Sequence, residues 1–294
     1  MKTDNCLIMK STAGFYYVRC PNGEIKECKA RGVFRKQGIT PLVGDNVTIE
    51  IDGESCTVWE IGERKNSMIR PPVANIDKLI IVSSVKEPAP NLLVIDKLTA
   101  QAVDKDITPI VVFSKADLED PSDYTGIYSK AGIQSFSVSA ADGRGIDKFA
   151  DIFNGSVCAL TGNTGVGKSS ILNCIDPGLS LATSHISDKL GRGRHTTRTV
   201  ELFPLCGGFI ADTPGFSALD FENCEIILKE NLQFCFPEFR RFIGKCKFVS
   251  CAHIGEKGCA VCQAAKEGVI PESRLNSYKM MYEEVKDYKE WEHK

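Results

Sequence analysis

Of the 294 residues, the segment that leaves the fewest folds open is Gly162-Asn163-Thr164-Gly165-Val166-Gly167-Lys168-Ser169. The apolar run Val157-Cys158-Ala159-Leu160 precedes it and Ser170-Ile171-Leu172-Asn173-Cys174-Ile175 follows, so the order reads strand, glycine-rich turn, helix. A loop with little Cβ crowding can wrap its N–H groups around phosphate oxygens, with the positive end of the next helix aimed at them. In that geometry Lys168 reaches the β- and γ-phosphates and the Ser169 hydroxyl binds Mg²⁺. The competing reading is a glycine-rich turn that binds nothing, and the strand and helix on either side weigh against it. The motif alone does not name the base.

Length suggests two or three domains at the usual 100 to 200 or so residues each. Hydrophobic residues make up 43% of the chain, enough for a real core, and a net charge of -2 with a pI near 6.2 excludes a protein coated for polyanions. Any nucleic-acid contact must then come from local basic patches. Thirteen cysteines would suit a disulfide scaffold in a secreted chain. No basic stretch followed by an apolar one opens the sequence, so a reducing cytoplasm without a disulfide framework is expected. Apolar runs such as Leu79-Ile80-Ile81-Val82 have strand length, far below the roughly 20 residues of a membrane helix, so no membrane partner is expected.

Residues 1 to about 68 carry short alternating runs separated by Pro-Asn-Gly and Asp-Gly turns, the pattern of a small OB-type antiparallel barrel. Between two runs lies Lys29-Ala30-Arg31-Gly32-Val33-Phe34-Arg35-Lys36-Gln37, read as a loop that either contacts RNA through Arg31, Arg35 and Lys36 or is merely solvated. From about residue 69 the pattern becomes α/β, with strands near 78–82, 108–113 and 134–138 and a helix near 92–102, as in a parallel sheet. The second of these strands runs into Ser114-Lys115-Ala116-Asp117, and the third ends in Ser139-Ala140. After the phosphate loop come Gly191-Arg192-Gly193-Arg194-His195-Thr196-Thr197-Arg198 and a strand ending in Asp212-Thr213-Pro214-Gly215. Asp212 is placed to hold Mg²⁺, the Gly215 amide to bond the γ-phosphate, and Thr196 or Thr197 to complete the metal shell of Ser169. The segment before them has the composition of an order–disorder switch.

Together these are the five elements of a guanine-nucleotide domain, in rotated order. The base-reading residues Ser114, Lys115, Asp117, Ser139 and Ala140 come before the phosphate loop of residues 162–170, which adds Ser170 to the nucleotide contacts. A circular permutation moves the chain ends while keeping the loops on one sheet edge. Residues 223–294 change again, with Cys246, Cys251, His253 and Cys259 within fourteen positions. Three thiolates and an imidazole at that spacing suit a closed tetrahedral zinc site, which a short loop-rich module also needs as a staple. Cys262 reads as a bystander at the start of a helix.

The rotated order, the barrel in front and the Cys-x₄-Cys-x-His-x₅-Cys segment behind resemble the RsgA family of small-ribosomal-subunit-dependent GTPases. Supporting stretches are Phe34-Arg35-Lys36-Gln37-Gly38-Ile39, Arg70-Pro71-Pro72-Val73-Ala74-Asn75-Ile76-Asp77, Gly193-Arg194-His195-Thr196-Thr197 and Gly258-Cys259-Ala260-Val261. The resemblance implies GTP hydrolysis to GDP stimulated by the 30S subunit, late maturation of that subunit and contact with 16S rRNA. The chain is expected to be a cytoplasmic monomer of three modules: 1–68, an OB-fold RNA-binding domain; 69–222, a permuted α/β GTPase domain; and 223–294, a mostly helical zinc domain. Arg192, Arg194, Arg240 and Arg241 join Arg31, Arg35 and Lys36 as candidate RNA contacts. The sequence departs from the pattern at Ser114, where Asn is commoner, and the expectation is a lost hydrogen bond to the purine and a lost brace to the phosphate loop. Phe216 stands where Ras-like proteins carry the water-orienting Gln, so His195 is the candidate to position the attacking water. Two other classes compete: a nucleotide-regulated RNA-binding module whose hydrolysis is incidental, and an ATP-using kinase, which Asp117 disfavours.

Overall fold

The computed structural model describes residues 1–53, 55–68, 72–178, 200–212 and 226–288. In chain order the strands are β1 (Lys2–Thr12), β2 (Phe15–Arg19), β3 (Ile25–Ala30), β4 (Asn46–Asp52), β5 (Ser55–Ile61), β6 (Ser67–Met68), β7 (Val73–Ala74), β8 (Lys78–Ser84), β9 (Thr108–Ser114), β10 (Gln134–Ser137), β11 (Val157–Thr161), β12 (Glu201–Leu205) and β13 (Gly208–Asp212). The helices are α1 (Gly32–Lys36), α2 (Leu92–Asp104), α3 (Ser122–Lys130), α4 (Ile146–Asp151), α5 (Lys168–Ile175), α6 (Lys229–Leu232), α7 (Ala260–Lys266) and α8 (Glu272–Val285). They fall into two compact units, one of Met1–Lys78, Asp147–Leu160 and Leu172–Phe216, the other of Leu79–Ile146, Thr161–Ile171 and Ser217–Lys294.

The first unit contains a closed five-stranded barrel with neighbours in the order β1-β2-β3-β5-β4, and β4 returns to β1. All pairs are antiparallel except β3 with β5, which is the OB-type arrangement expected from the sequence. Alternation places Cys6, Ile8, Tyr16, Val18, Val47, Ile49 and Val58 inside. Register shifts at Ile8/Lys10 and Thr3/Cys6 bend the long β1 so that it can pair with both β2 and β4. Buried Asp45 is held by a two-pronged Arg64 guanidinium at 2.7 and 2.8 Å and by the Leu42 N–H at 2.7 Å. The segment read as a loop at 31–37 is instead a helical turn, α1: Phe34 is buried and anchors it, leaving Arg35 and Lys36 exposed. In the same unit β12 and β13 form a hairpin, and β13 pairs in parallel with β11.

Cys28 and Cys56 are joined by a disulfide, with their Cα atoms 4.5 Å apart. The sequence reading expected none. Parallel pairing of β3 with β5 brings residues distant in sequence side by side, which composition could not show.

In the second unit β8, β9 and β10 form the order β10-β9-β8, with β9 and β10 parallel. From Leu79 to Ser84 and from Pro109 to Ser114 every residue is buried, as in a sheet covered on both faces. The C-terminal part packs Phe236, Phe239, Val261, Leu275 and Tyr278 into one core with Ala100 of α2. A fully buried Arg274 on α8 ties these parts together. Its Nε donates to Glu238 Oε1 at 2.7 Å, and its Nη1 donates to Asp96 Oδ1 at 2.7 Å and Thr99 Oγ1 at 2.9 Å. The Tyr128 hydroxyl donates to the same Asp96 oxygen at 3.0 Å.

Candidate functional site

The glycine-rich turn between β11 and α5 starts with a backbone only glycine can supply. Gly162 has φ +147°, and a Cβ there would sit 2.2 Å from the Val82 carbonyl oxygen. Gly167, at φ +88°, turns the chain into α5, which opens at Lys168. Val166 is buried and pins the loop from beneath, while Asn163, Thr164, Gly165, Ser169 and Ser170 are exposed. The Lys168 ammonium donates to the Gly162 and Asn163 carbonyls at 2.6 and 2.8 Å, and burial pushes its pKa down. A lysine held against the carbonyls of a glycine-rich loop at a helix start suits a polyphosphate, and the Ser169 hydroxyl suits a magnesium ion.

Next to this loop lie the two segments read as base contacts. Ser114 ends β9, and its hydroxyl lies 2.5 Å from the Val166 carbonyl and 3.2 Å from that of Ser83. The expected loss of a brace to the phosphate loop is therefore corrected: with one proton to donate, the short serine still reaches the loop backbone. Lys115 takes a left-handed backbone, φ +57°, and its ammonium bonds the Glu87 carbonyl. The Ala116 N–H bonds the Val138 carbonyl at 3.1 Å, joining the two base segments. Fully buried Ser139 donates its hydroxyl to Asp117 Oδ1 at 2.8 Å and accepts from the Asp142 N–H at 3.3 Å. A carboxylate fixed in this way presents acceptors to a pair of adjacent donors, which guanine N1 and N2 supply and adenine does not. Ala140 follows, half-buried, in the turn after β10. Asp212 is the last residue of β13. Gly215, Arg192, Arg194, His195, Thr196, Thr197 and Phe216 lie outside the described residues.

Cys246, Cys251, His253 and Cys259 offer ligand atoms that all lie within 4.8 Å of one another. The His253 Nδ1 is 3.5 Å from Cys246 Sγ and 3.4 Å from Cys259 Sγ, and those two sulfurs are 4.0 Å apart. A tetrahedral zinc with Zn–S of about 2.3 Å has ligand edges of about 3.8 Å, so the donor set fits zinc in chemistry and size. Residues that the spacing did not reveal orient it. Gln233 Oε1 lies 3.1 Å from His253 Nε2, which leaves Nδ1 to face the thiols. The Ala260 and Cys262 N–H groups, at the start of α7, donate to the sulfurs of Cys246 and Cys259 at 3.3 and 3.4 Å. Glu256 accepts from the N–H groups of Ala252, Ile254 and Gly255 at 2.6 to 3.0 Å. Burial opposes its ionisation, but these donors hold its carboxyl below the usual range. Burial also pushes the thiols of Cys251 and Cys259 up and the His253 imidazole down. Cys262 is not in the group; its thiol faces the His253 carbonyl at 3.5 Å.

On the barrel, the Arg31 guanidinium lies 3.8 Å from the centre of the Trp59 ring and donates to the Trp59 carbonyl at 3.3 Å. Arg31, Phe34, Gln37, Ile39, Trp59 and Ile61 line a groove of about 330 Å³ beside α1. In the other unit Arg240 and Arg241 are exposed, and Arg241 lies 4.9 Å from the Phe242 ring centre.

The family model for the RsgA GTPase matches residues 61–222, and that for the RsgA N-terminal domain matches residues 5–58. The chain belongs to the RsgA GTPase family. Among its relatives are the small ribosomal subunit biogenesis GTPases RsgA of Geobacillus kaustophilus and Bacillus cereus, each 43% identical over 289 residues, 96% of this chain and 97% of the relative. Solved structures agree. YjeQ from Thermotoga maritima superposes with a TM-score of 0.85 at 32% identity, covering 98% of this chain and 100% of the other. YloQ, described as a circularly permuted GTPase, gives 0.80 at 33%, covering 98% and 96%. The chain is thus a GTP-hydrolysing enzyme of the circularly permuted kind, and a guanine nucleotide and Mg²⁺ belong to its activity. Among the described residues, no helix is long and apolar enough to cross a membrane.

Proposed function

We propose that this GTPase acts in the cytoplasm on the small ribosomal subunit, binding its 16S rRNA as a monomer and hydrolysing GTP to GDP and phosphate during late assembly. The observation that carries the reading is the joint between base and phosphate loops: Asp117 fixed by Ser139, and Ser114 reaching the carbonyl of Val166. In this reading Asp117 accepts from guanine N1 and N2, Lys115 covers the ring, Ser139 and Ala140 shape the base pocket, and Ser114 serves the nucleotide by bracing the phosphate loop at Val166. The amides of residues 162–170 and the Lys168 ammonium hold the phosphates, with Gly215 on the γ-phosphate. Ser169, Asp212 and one of Thr196 and Thr197 hold Mg²⁺, whose bound charge offsets that of the phosphates. His195 positions or deprotonates the attacking water, and the subunit speeds hydrolysis by ordering its segment.

The modules 1–68, 69–222 and 223–294 divide the work. Arg31, Arg35, Lys36, Arg192, Arg194, Arg240 and Arg241 meet rRNA phosphates, and Cys246, Cys251, His253 and Cys259 hold one structural zinc. The names of the relatives support the ribosomal partner. The test is Asp117→Asn: GTP affinity should fall by about 100-fold or more, since hydrogen bonds to a charged group contribute about 1.5–3 kcal/mol each, and xanthosine triphosphate should bind in its place. Unchanged GTP affinity would remove Asp117 as the base reader.

A further inference from the structure

Four consecutive residue pairs, each 28 apart in sequence, hold the parallel seam of the barrel. Cys28 and Cys56 are joined covalently, Lys29–Thr57 and Ala30–Val58 by strand register, and Arg31–Trp59 by ring stacking and a hydrogen bond. Two registered pairs join β3 to β5, against five between β2 and β3. The seam is a short joint, with the disulfide at one end and the Arg31/Trp59 groove at the other. Cys28 is 1% exposed, whereas Cys56 is half-buried at the edge of the β4–β5 hairpin. The other two barrel thiols, Cys6 and Cys20, are both buried, and burial with the nearby Cys20 pushes Cys6 up to about 12. Cys56 is thus the most exposed of the four barrel cysteines.

We propose that Cys28 and Cys56 form a reversible thiol–disulfide site that exchanges with low-molecular-weight thiols and disulfides and locks the barrel seam. In oxidation the Cys56 thiolate attacks one sulfur of a disulfide R–S–S–R, whose S–S bond breaks and whose leaving R–S⁻ takes up a proton. Cys28 then loses its proton to solvent and attacks the Cys56 sulfur, forming the Cys28–Cys56 bond and releasing the second R–SH. Two electrons pass from the cysteine pair to the small disulfide. Reduction runs in reverse, through attack on Cys56, because Cys28 is shielded. In a reducing cytoplasm a disulfide of this kind follows the ambient poise instead of persisting as a scaffold. The consequence for binding rests on the RNA reading of the groove given under Proposed function: a locked seam presents Arg31 and Trp59 already ordered, so less freedom is lost on binding.

The test equilibrates the full-length protein in glutathione buffers of graded poise, alkylates free thiols at each, and maps peptides by mass spectrometry. One two-electron transition should join Cys28 to Cys56 and be undone by dithiothreitol. The oxidised barrel should melt on the order of 10 °C higher, and isolated 30S subunits should bind it about threefold more tightly or better. Cys56→Ser and Cys28→Ser should each lack the transition and keep the affinity of the reduced protein. If both cysteines remain thiols at every poise, or pair elsewhere, the site is overturned. A disulfide that forms without changing 30S affinity overturns the lock. Absence of 30S binding in both states overturns the RNA reading instead, and the peptide map then judges the thiol site by itself.

Discussion

Ser114→Ala removes one buried hydroxyl and tests whether the base segment holds the phosphate loop in shape. Ser114 is 1% exposed, and its oxygen is 2.5 Å from the Val166 carbonyl, midway along the loop whose amides would face the phosphates. Deleting a partner from a buried hydrogen bond costs about 1–3 kcal/mol, because the remaining group has lost its water and gained nothing. Alanine fits the same space, so cavity and strain effects are small. If the bond holds the loop in its binding shape, that cost appears as a loss in affinity of roughly 5- to 100-fold, at 1.4 kcal/mol per tenfold. The assay is calorimetric titration with GTP, GDP and inosine triphosphate. All three should weaken by the same factor, since the perturbation acts on the phosphate side and leaves the Asp117–Ser139 contact in place. A loss below twofold, or one that alters the preference of GTP over inosine triphosphate, would refute the reasoning.

Two further outcomes concern the C-terminal part. Elemental analysis of purified protein should find about one zinc per chain, and Cys251→Ala should lower that ratio and unfold residues from about 226 onward while GTP binding stays near normal; a native ratio near zero would remove the metal. Arg274→Leu leaves Asp96 and Glu238, 1% and 6% exposed, without their cation, so unfolding by urea should show a loss of about 3–5 kcal/mol; a loss under about 1 kcal/mol would mean that the ionic cluster is incidental.

What the sequence revealed was what the chain builds locally. The phosphate loop is contiguous, and its glycines, lysine and serine announce their backbone and chemistry without reference to any other element. The cluster of Cys246, Cys251, His253 and Cys259, whose donor atoms converge, is similarly confined to one short segment. What it hid depends on pairing across long separations. Ser114 meets Val166 at a separation of 52, Arg274 meets Asp96 at 178, and Gln233 meets His253 at 20; none of these lies in a spacing pattern. The seam of Cys28 and Cys56 needs the parallel register of β3 and β5 to be known first. The turn at Gly32–Lys36 looks like a loop in sequence because five residues are too few to show a helical period; the backbone hydrogen bond from the Gln37 N–H to the Val33 carbonyl shows the turn.

In the proposed function, a guanine-specific site on this chain does its chemistry when the small ribosomal subunit completes it. The direct measurement is phosphate release by the full-length protein from GTP and from ATP, with and without purified 30S subunits, alongside His195→Ala. The expected result is slow release from GTP alone, a rise on the order of 10³ to 10⁵ at most when the subunit is added, as where partners complete other GTPase sites, no matching release from ATP, and loss of most of the rise in His195→Ala with subunit binding retained. Equal turnover of ATP and GTP, or a GTP rate indifferent to the subunit, would contradict it.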